Sequence, residues 1–145
     1  MFIRQISVFL ENKTGTLREL TQILGENGIN LLAISIADTA GFGIVRCIVK
    51  EADIDRTMTI LRDGGYIAKE NHVICVAMPH RPLGLCRVLQ ILEENGVDVE
   101  YSYSLCRTSV TDAVLIIRPS DKDRCVKAFE ENGVRMLSQK EVDEF

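Results

Sequence analysis

Apolar positions in this chain follow two rhythms that replace each other in turn. From Phe2 to Leu10, Ile6, Val8 and Leu10 fall on one side and Gln5 and Ser7 on the other, the alternation of a half-buried strand. After Asn12 the spacing changes, and Leu17, Leu20, Ile23 and Leu24 recur three and four residues apart, along one face of a helix. Thr16 with Glu19 has capping-box spacing, so this helix is predicted to start at Thr16 and run to about Asn27. Gly28 follows the last periodic residue, where a helix end favours positive φ. A strand is predicted from Asn30 to about Asp38, a hairpin-like break at Thr39-Ala40-Gly41, and a third strand over Phe42–Lys50. Asp53 is expected to cap a second helix whose stripe is Ile54, Met58 and Leu61. Gly64-Gly65 ends that helix, and Tyr66–Lys69 reads as a short last strand. The order is βαββαβ.

The same text is then written again. Asn27-Gly28 recurs as Asn95-Gly96, 68 positions on, and at that shift Gln22-Ile23-Leu24 falls on Gln90-Ile91-Leu92 and Leu17 on Leu85. Asp53-Ile54-Asp55-Arg56 falls on Asp121-Lys122-Asp123-Arg124 with no gap. The second copy predicts a strand at Val73–Met78, a turn at Pro79–Gly84, a helix at Leu85–Asn95 and strands at Val97–Cys106 and Val110–Arg118. A helix capped by Asp121 and running to about Asn132 follows, then a strand at Val134–Leu137. The polar tail, Ser138–Phe145, is expected to fray. With no Gly/Ser/Pro-rich linker between them, the units are expected at 1–70 and 71–145. Two βαββαβ units imply an α+β chain of two tandem ferredoxin-like folds, each an antiparallel sheet with both helices on one face. Units of about 70 residues have marginal cores, so a shared surface is expected.

Strand parity gives one further expectation. Val97, Val99, Tyr101, Tyr103 and Leu105 read as a helix-covered face, which at the 68-residue shift leaves Asn30, Leu32, Ile34 and Ile36 on the open face of the first unit. With Ile44 and Ile48 they would form an apolar patch that must be covered, by another part of the chain or by a second copy in a homodimer.

Composition removes several classes of function. Of the 145 residues, 46% are hydrophobic, which argues against disorder. The net charge of −4 and the scattered basic residues argue against a nucleic-acid or anionic-membrane surface. No apolar run is long enough to span a bilayer, and the opening MFIRQISVFLENK is too polar for a signal peptide. Cys47, Cys75, Cys86, Cys106 and Cys125 are odd in number and sit mostly in apolar segments, which fits reduced, buried thiols in the cytoplasm. His72 and His80, the two histidines, make no common zinc signature with Cys75. No set of catalytic roles assembles, so the chain is not expected to be an enzyme, and nothing calls for a cofactor.

What remains is the turn before each first helix. Gly15 and Gly84 let the backbone pass close to a neighbour, and the helix start beyond offers unpaired N–H groups to a carboxylate or phosphate. A tight turn that needs glycine and nothing more explains the same residues. Asn30 and Asp98, just after each Asn-Gly turn, can meet an ammonium or only satisfy turn backbone.

Asn12-Lys13-Thr14-Gly15-Thr16-Leu17 with Gly28-Ile29-Asn30, and His80-Arg81-Pro82-Leu83-Gly84-Leu85 with Gly96-Val97-Asp98, resemble the ACT domain pattern. That pattern runs Asp-Arg-Pro-Gly-x-Leu, a helix, then Gly-Ile-Asn-Ile, and the resemblance covers nearly the whole chain as two tandem copies. It implies small regulatory modules that bind an amino acid, usually where domains pair, and that signal to a regulated enzyme or regulator. Carried over, the first ligand site is Asn12, Thr14, Gly15, Thr16, Leu17, Ile29 and Asn30. The second is His80, Pro82, Leu83, Gly84, Leu85, Val97 and Asp98. Asn12 and His80 stand where the family has an acid, and Leu83 stands at the glycine position, so the two sites are expected to be unequal. One alternative is a structural or protein-interaction module with no ligand. A remoter one is an RNA-recognition motif, since Gly41–Cys47 partly mimics its third strand. There, however, Ile44 and Cys47 occupy the places of stacking aromatics.

Overall fold

The computed structural model describes residues 1–39, 41–105 and 112–145. Ala40, Cys106 and Val110, which figure in the expected hairpin break, strand ends and thiol set, lie outside them. The chain divides into two compact units, Arg4–Asn71 and His72–Phe145 together with Met1–Ile3.

In the N-terminal unit β1 is Ile3–Glu11, α1 Thr16–Glu26, β2 Ala33–Thr39, β3 Phe42–Ile48 and α2 Ile54–Asp63. β4, Ile67–Pro79, begins in this unit and continues into the next. The two short strands expected at Tyr66–Lys69 and Val73–Met78 are therefore one, because Glu70, Asn71 and His72 between them continue the strand. β1 lies antiparallel to β3, and β3 to β2. Ile6, Val8 and Leu10 from β1, Val45 and Cys47 from β3, Leu20 and Leu24 from α1, and Ile54 and Leu61 from α2 share one buried cluster. Arg4 ties β1 to α2 and β4 through Glu70 (2.7 Å) and Asp55 (3.0 Å). β1 is not half-buried as its alternation suggests. Gln5 and Ser7 are also buried, and Gln5 Nε2 donates to Ser7 Oγ at 3.1 Å.

The C-terminal unit carries α3 Gly84–Glu94, β5 Val99–Ser104, β6 Asp112–Pro119, α4 Lys122–Glu131, β7 Arg135–Met136 and α5 Gln139–Asp143. β6 pairs antiparallel with β4 and β5, and β7 pairs with β4. Ile74 and Val76 from β4, Leu115 and Ile117 from β6, Val88, Ile91 and Leu92 from α3, and Cys125 and Phe129 from α4 form its core, against which Phe2 also packs. The expected frayed tail is instead a capped helix. Ser138 Oγ accepts from the Glu141 N–H (3.3 Å) while Glu141 Oε2 accepts from the Ser138 N–H (2.8 Å), and Val142 is fully buried. The Ser138 N–H and the Arg135 guanidinium hold the Glu141 carboxyl down at about 2.

The 68-residue repeat persists bond by bond. The Ile29 N–H donates to Leu24 O at 3.0 Å and the Val97 N–H to Leu92 O at 2.9 Å. The side chains of Asn27 and Asn95 donate to Ile23 O and Ile91 O, each at 2.8 Å. Gly28 and Gly96 have positive φ, as their places after the helices predict. Asp121 accepts from the Arg124 N–H (3.0 Å) and caps α4.

The first unit's expected capping residues are corrected. The N-cap of α1 is Gly15, not Thr16, whose hydroxyl donates to the carbonyls of Glu11 and Lys13, 2.9 Å each. Asp53 closes a 3-10 turn, Glu51–Asp53, with its backbone already in the helical region, so its side chain makes no cap bond.

The parity expectation also fails, and the reason is local. The β5–β6 register shifts between Val99 and Tyr101. Val99 packs on the helix-side core, but beyond the shift Tyr103 pairs with Ile116 while Ser104 pairs with Leu115, a residue of that core. The extra residue turns Tyr101 and Tyr103 to the other face. The first unit does the same. Leu31 and Ile34 both pack on the helix-side core, which breaks the alternation, and Ile34 pairs with buried Cys47. The expected open-face patch is therefore not formed. Leu32 is buried, Ile34 is half-buried beneath the helices, and Ile36 remains 54% exposed.

Candidate functional site

Both turns leave their strands through a left-handed residue. Gly15 has φ 93° and Leu83 has φ 69°. Leu83 is the one non-glycine residue with positive φ among the described residues. An L side chain there costs about 1–2 kcal/mol, and Leu83, 77% exposed, recovers little of that by burial. Gly84 is not a displaced copy of Gly15. It opens α3 with its Cα against the Pro79 carbonyl, and a Cβ built on it would lie 2.3 Å from that oxygen.

Within each turn the first helix N–H groups are partly engaged. The Gly84 N–H donates to Arg81 O (3.0 Å) and the Arg87 N–H to Leu83 O (3.0 Å), matching Thr16 to Lys13 (3.3 Å) and Glu19 to Gly15 (2.9 Å). The N–H groups of Leu85 and Cys86 have no partner among the described residues, so the positive end of α3 remains open to an acceptor.

Beside this end lies a cavity of about 670 Å³, within the range of small-molecule sites. Pro82, Leu83 and Gly84 from the turn, Val88 and Ile91 from α3, and Val134 before β7 line it. Its charged lining is Arg81, Arg87, Arg135 and Asp112. Arg135 also bonds Glu141 on α5 at 2.9 Å. Arg87 reaches Gln90 at 3.4 Å, and neither Arg81 nor Arg87 meets a carboxylate among the described residues.

Of the residues expected in the second site, Pro82, Leu83 and Gly84 line the cavity. His80 is exposed in the turn and Leu85 half-exposed on α3, and neither lines it. Val97 is buried in the core at the far end of α3. Asp98 is exposed there, its backbone bonded to Ser120 through an N–H to Oγ contact of 3.1 Å and a carbonyl contact of 2.9 Å.

The first site divides the same way. Asn12, whose N–H points to Gly41 O at 3.5 Å, Thr14, Gly15, Thr16 and half-buried Leu17 stand at the start of α1. Ile29, buried, and Asn30, exposed, stand at its end. Eleven helical residues separate the two groups by roughly 16 Å. A single unit does not bring its turn and its strand start together.

Reading the sequence for motifs missed Arg87, Arg135 and Asp112. The available signal was where the repeat breaks. At the 68-residue shift Arg87 stands against Glu19, Asp112 against Ile44 and Arg135 against Ile67, so the second copy carries charges that the first lacks.

The thiols belong to the core rather than to a site. Burial pushes Cys47, Cys75 and Cys125 up to about 12, with Glu141 adding to the shift at Cys75 and Asp121 at Cys125. Cys86 is the exception to the expected burial and is exposed on α3. Among the described residues no three His, Cys, Asp or Glu side chains gather as a metal site, and no helix is long and apolar enough to cross a membrane.

Comparison with known proteins follows the same outline. The family model for an ACT domain pair matches residues 1–145. The crystal structure of protein BT0572 from Bacteroides thetaiotaomicron superposes with a TM-score of 0.90 at 36% identity, over 100% of this chain and 98% of that one. The ligand-free regulatory subunit of aspartate kinase from Thermus thermophilus shares the fold, with a TM-score of 0.64 at 16% identity over 88% of this chain and 91% of that one. The corresponding subunit from Thermus flavus superposes with a TM-score of 0.61 at 14% identity, over 88% and 90%. Comparison with curated proteins gives no match.

Proposed function

This chain belongs to the ACT domain family, as a pair of ACT domains with mixed α/β content and antiparallel sheet, and on that premise we propose that it is a regulatory protein that binds a small amino acid. We read residues 1–70 and 71–145 as its two ferredoxin-like modules. The observation that carries the reading is the cavity beside the open N-terminus of α3. An amino acid's carboxylate fits Arg81 or Arg87, its ammonium fits Asp112, and Val88 and Ile91 offer apolar contact to its side chain. The protein is not an enzyme in this reading. It works in the cytoplasm by passing ligand occupancy to a regulated enzyme or regulator.

A thermal-shift screen against the twenty common amino acids tests this. A ligand at one hundred times its Kd stabilises the folded state by about 2.7 kcal/mol, a rise of several degrees. No shift with any amino acid would favour a structural or protein-interaction module without ligand.

The first site, at Asn12, Thr14, Gly15, Thr16 and Leu17, has the same left-handed turn. Because Ile29 and Asn30 lie at the other end of α1, a site using both groups needs another ACT unit facing the turn. We assign that role to a second copy of the chain, making a homodimer. Light scattering at micromolar concentration is expected to give twice the 16.2 kDa chain mass. A single-chain mass with and without ligand would remove the dimer.

A further inference from the structure

We propose that the cavity of the C-terminal unit selects an acidic amino acid, aspartate or glutamate, over neutral ones. The inference rests on the amino-acid-binding reading above and adds the class of ligand.

The argument is charge balance. In a protein of net charge −4, the cavity gathers three guanidinium groups and one carboxylate. Arg135 is already matched by Glu141. Arg81, Arg87 and Asp112 meet no opposite charge among the described residues. A neutral zwitterion brings one carboxylate and one ammonium. It would satisfy Asp112 and one arginine and leave the other guanidinium of the cavity wall unmatched. A ligand with a second carboxylate balances the set. Its ammonium meets Asp112, and its two carboxylates meet Arg81 and Arg87, one each. Guanidinium suits that role, because its fork of donors binds a carboxylate through two parallel bonds.

The repeat provides an internal control. The turn of the first unit has Lys13 in place of Arg81, and Lys13 pairs with Glu11. Glu19 and Ile67 stand in place of Arg87 and Arg135, and the strand register puts Phe42, opposite Glu11, where Asp112 stands opposite Pro79. Only the second copy has this charge set.

Calorimetry on the full chain, comparing aspartate with asparagine and glutamate with glutamine, separates charge from shape, since each amide is nearly isosteric with its acid. At least one acid is expected to bind about tenfold tighter than its amide, equal to roughly 1.4 kcal/mol. Arg81→Gln and Arg87→Gln lie on exposed side chains and leave the core untouched, and at least one should reduce that preference to within about twofold. Amides binding as tightly as their acids, or a neutral amino acid binding best, would overturn the inference and leave the amino-acid-binding reading standing. Failure of all twenty amino acids to bind would overturn both.

Discussion

Gly84→Ala is expected to lower the stability of this protein by about 2–3 kcal/mol and to abolish ligand binding at the second turn. The added methyl would lie 2.3 Å from the Pro79 carbonyl oxygen, far inside van der Waals contact, and the obstacle is backbone that cannot rotate away. The turn would have to open, which breaks the Gly84 to Arg81 bond and displaces the wall formed by Pro82 and Leu83. Leu83→Gly tests the same turn with the opposite sign. It relieves the left-handed strain at an exposed residue and should leave stability equal or up to about 1 kcal/mol higher. Scanning calorimetry on the two variants reads both effects. An alanine variant as stable as the parent, or a glycine variant markedly weaker, would mean that the turn geometry is misread.

Phe129→Ala is expected to cost about 3–5 kcal/mol. Phe129 is fully buried and sits among Ile74, Val76, Ile91 and Ile117 in the C-terminal core. Total stabilities of single domains are about 5–15 kcal/mol, so most of the margin of this unit would go. The same residue anchors the site, because its carbonyl accepts from the Val134 N–H (2.9 Å) at the base of the wall that ends in Arg135. Its repeat partner is Leu61, equally buried and bonded to Tyr66 at 2.9 Å. Leu61→Ala should cost about 2–5 kcal/mol without touching the Arg135 wall. Chemical denaturation with ligand titration distinguishes the two. Equal loss of binding in both variants would detach the cavity from Phe129.

Much of this architecture was legible in the sequence, because helix periodicity and turn glycines act locally. α1 and α4 lie within a residue or two of their predicted spans, and the glycines after α1 and α3 take the φ their positions require. Parity in β2 and β5 was not legible. One extra residue near Leu32 or Glu100 reverses every later side chain, and pairing register, which sets it, is a long-range property. The tail helix α5 was too short to show periodicity, although Ser138 and Glu141 carried the capping signal. The site divides along the same line. The turn residues Pro82, Leu83 and Gly84 belong to one motif, whereas Asp112 and Arg135 reach the cavity only through the pairing of β6 and β7 with β4.

The grouping of Met1–Ile3 with His72–Phe145 has a practical consequence for dissecting the gene. Cutting the coding sequence between Asn71 and His72 does not yield two intact modules, because the C-terminal piece lacks Phe2, which packs on its core and edges against His72 at 6.5 Å between ring centroids. An affinity tag fused ahead of Met1 likewise enters the chain beside the half that holds the cavity, not beside the half it precedes. A faithful C-terminal fragment would need Met1–Ile3 grafted back onto it.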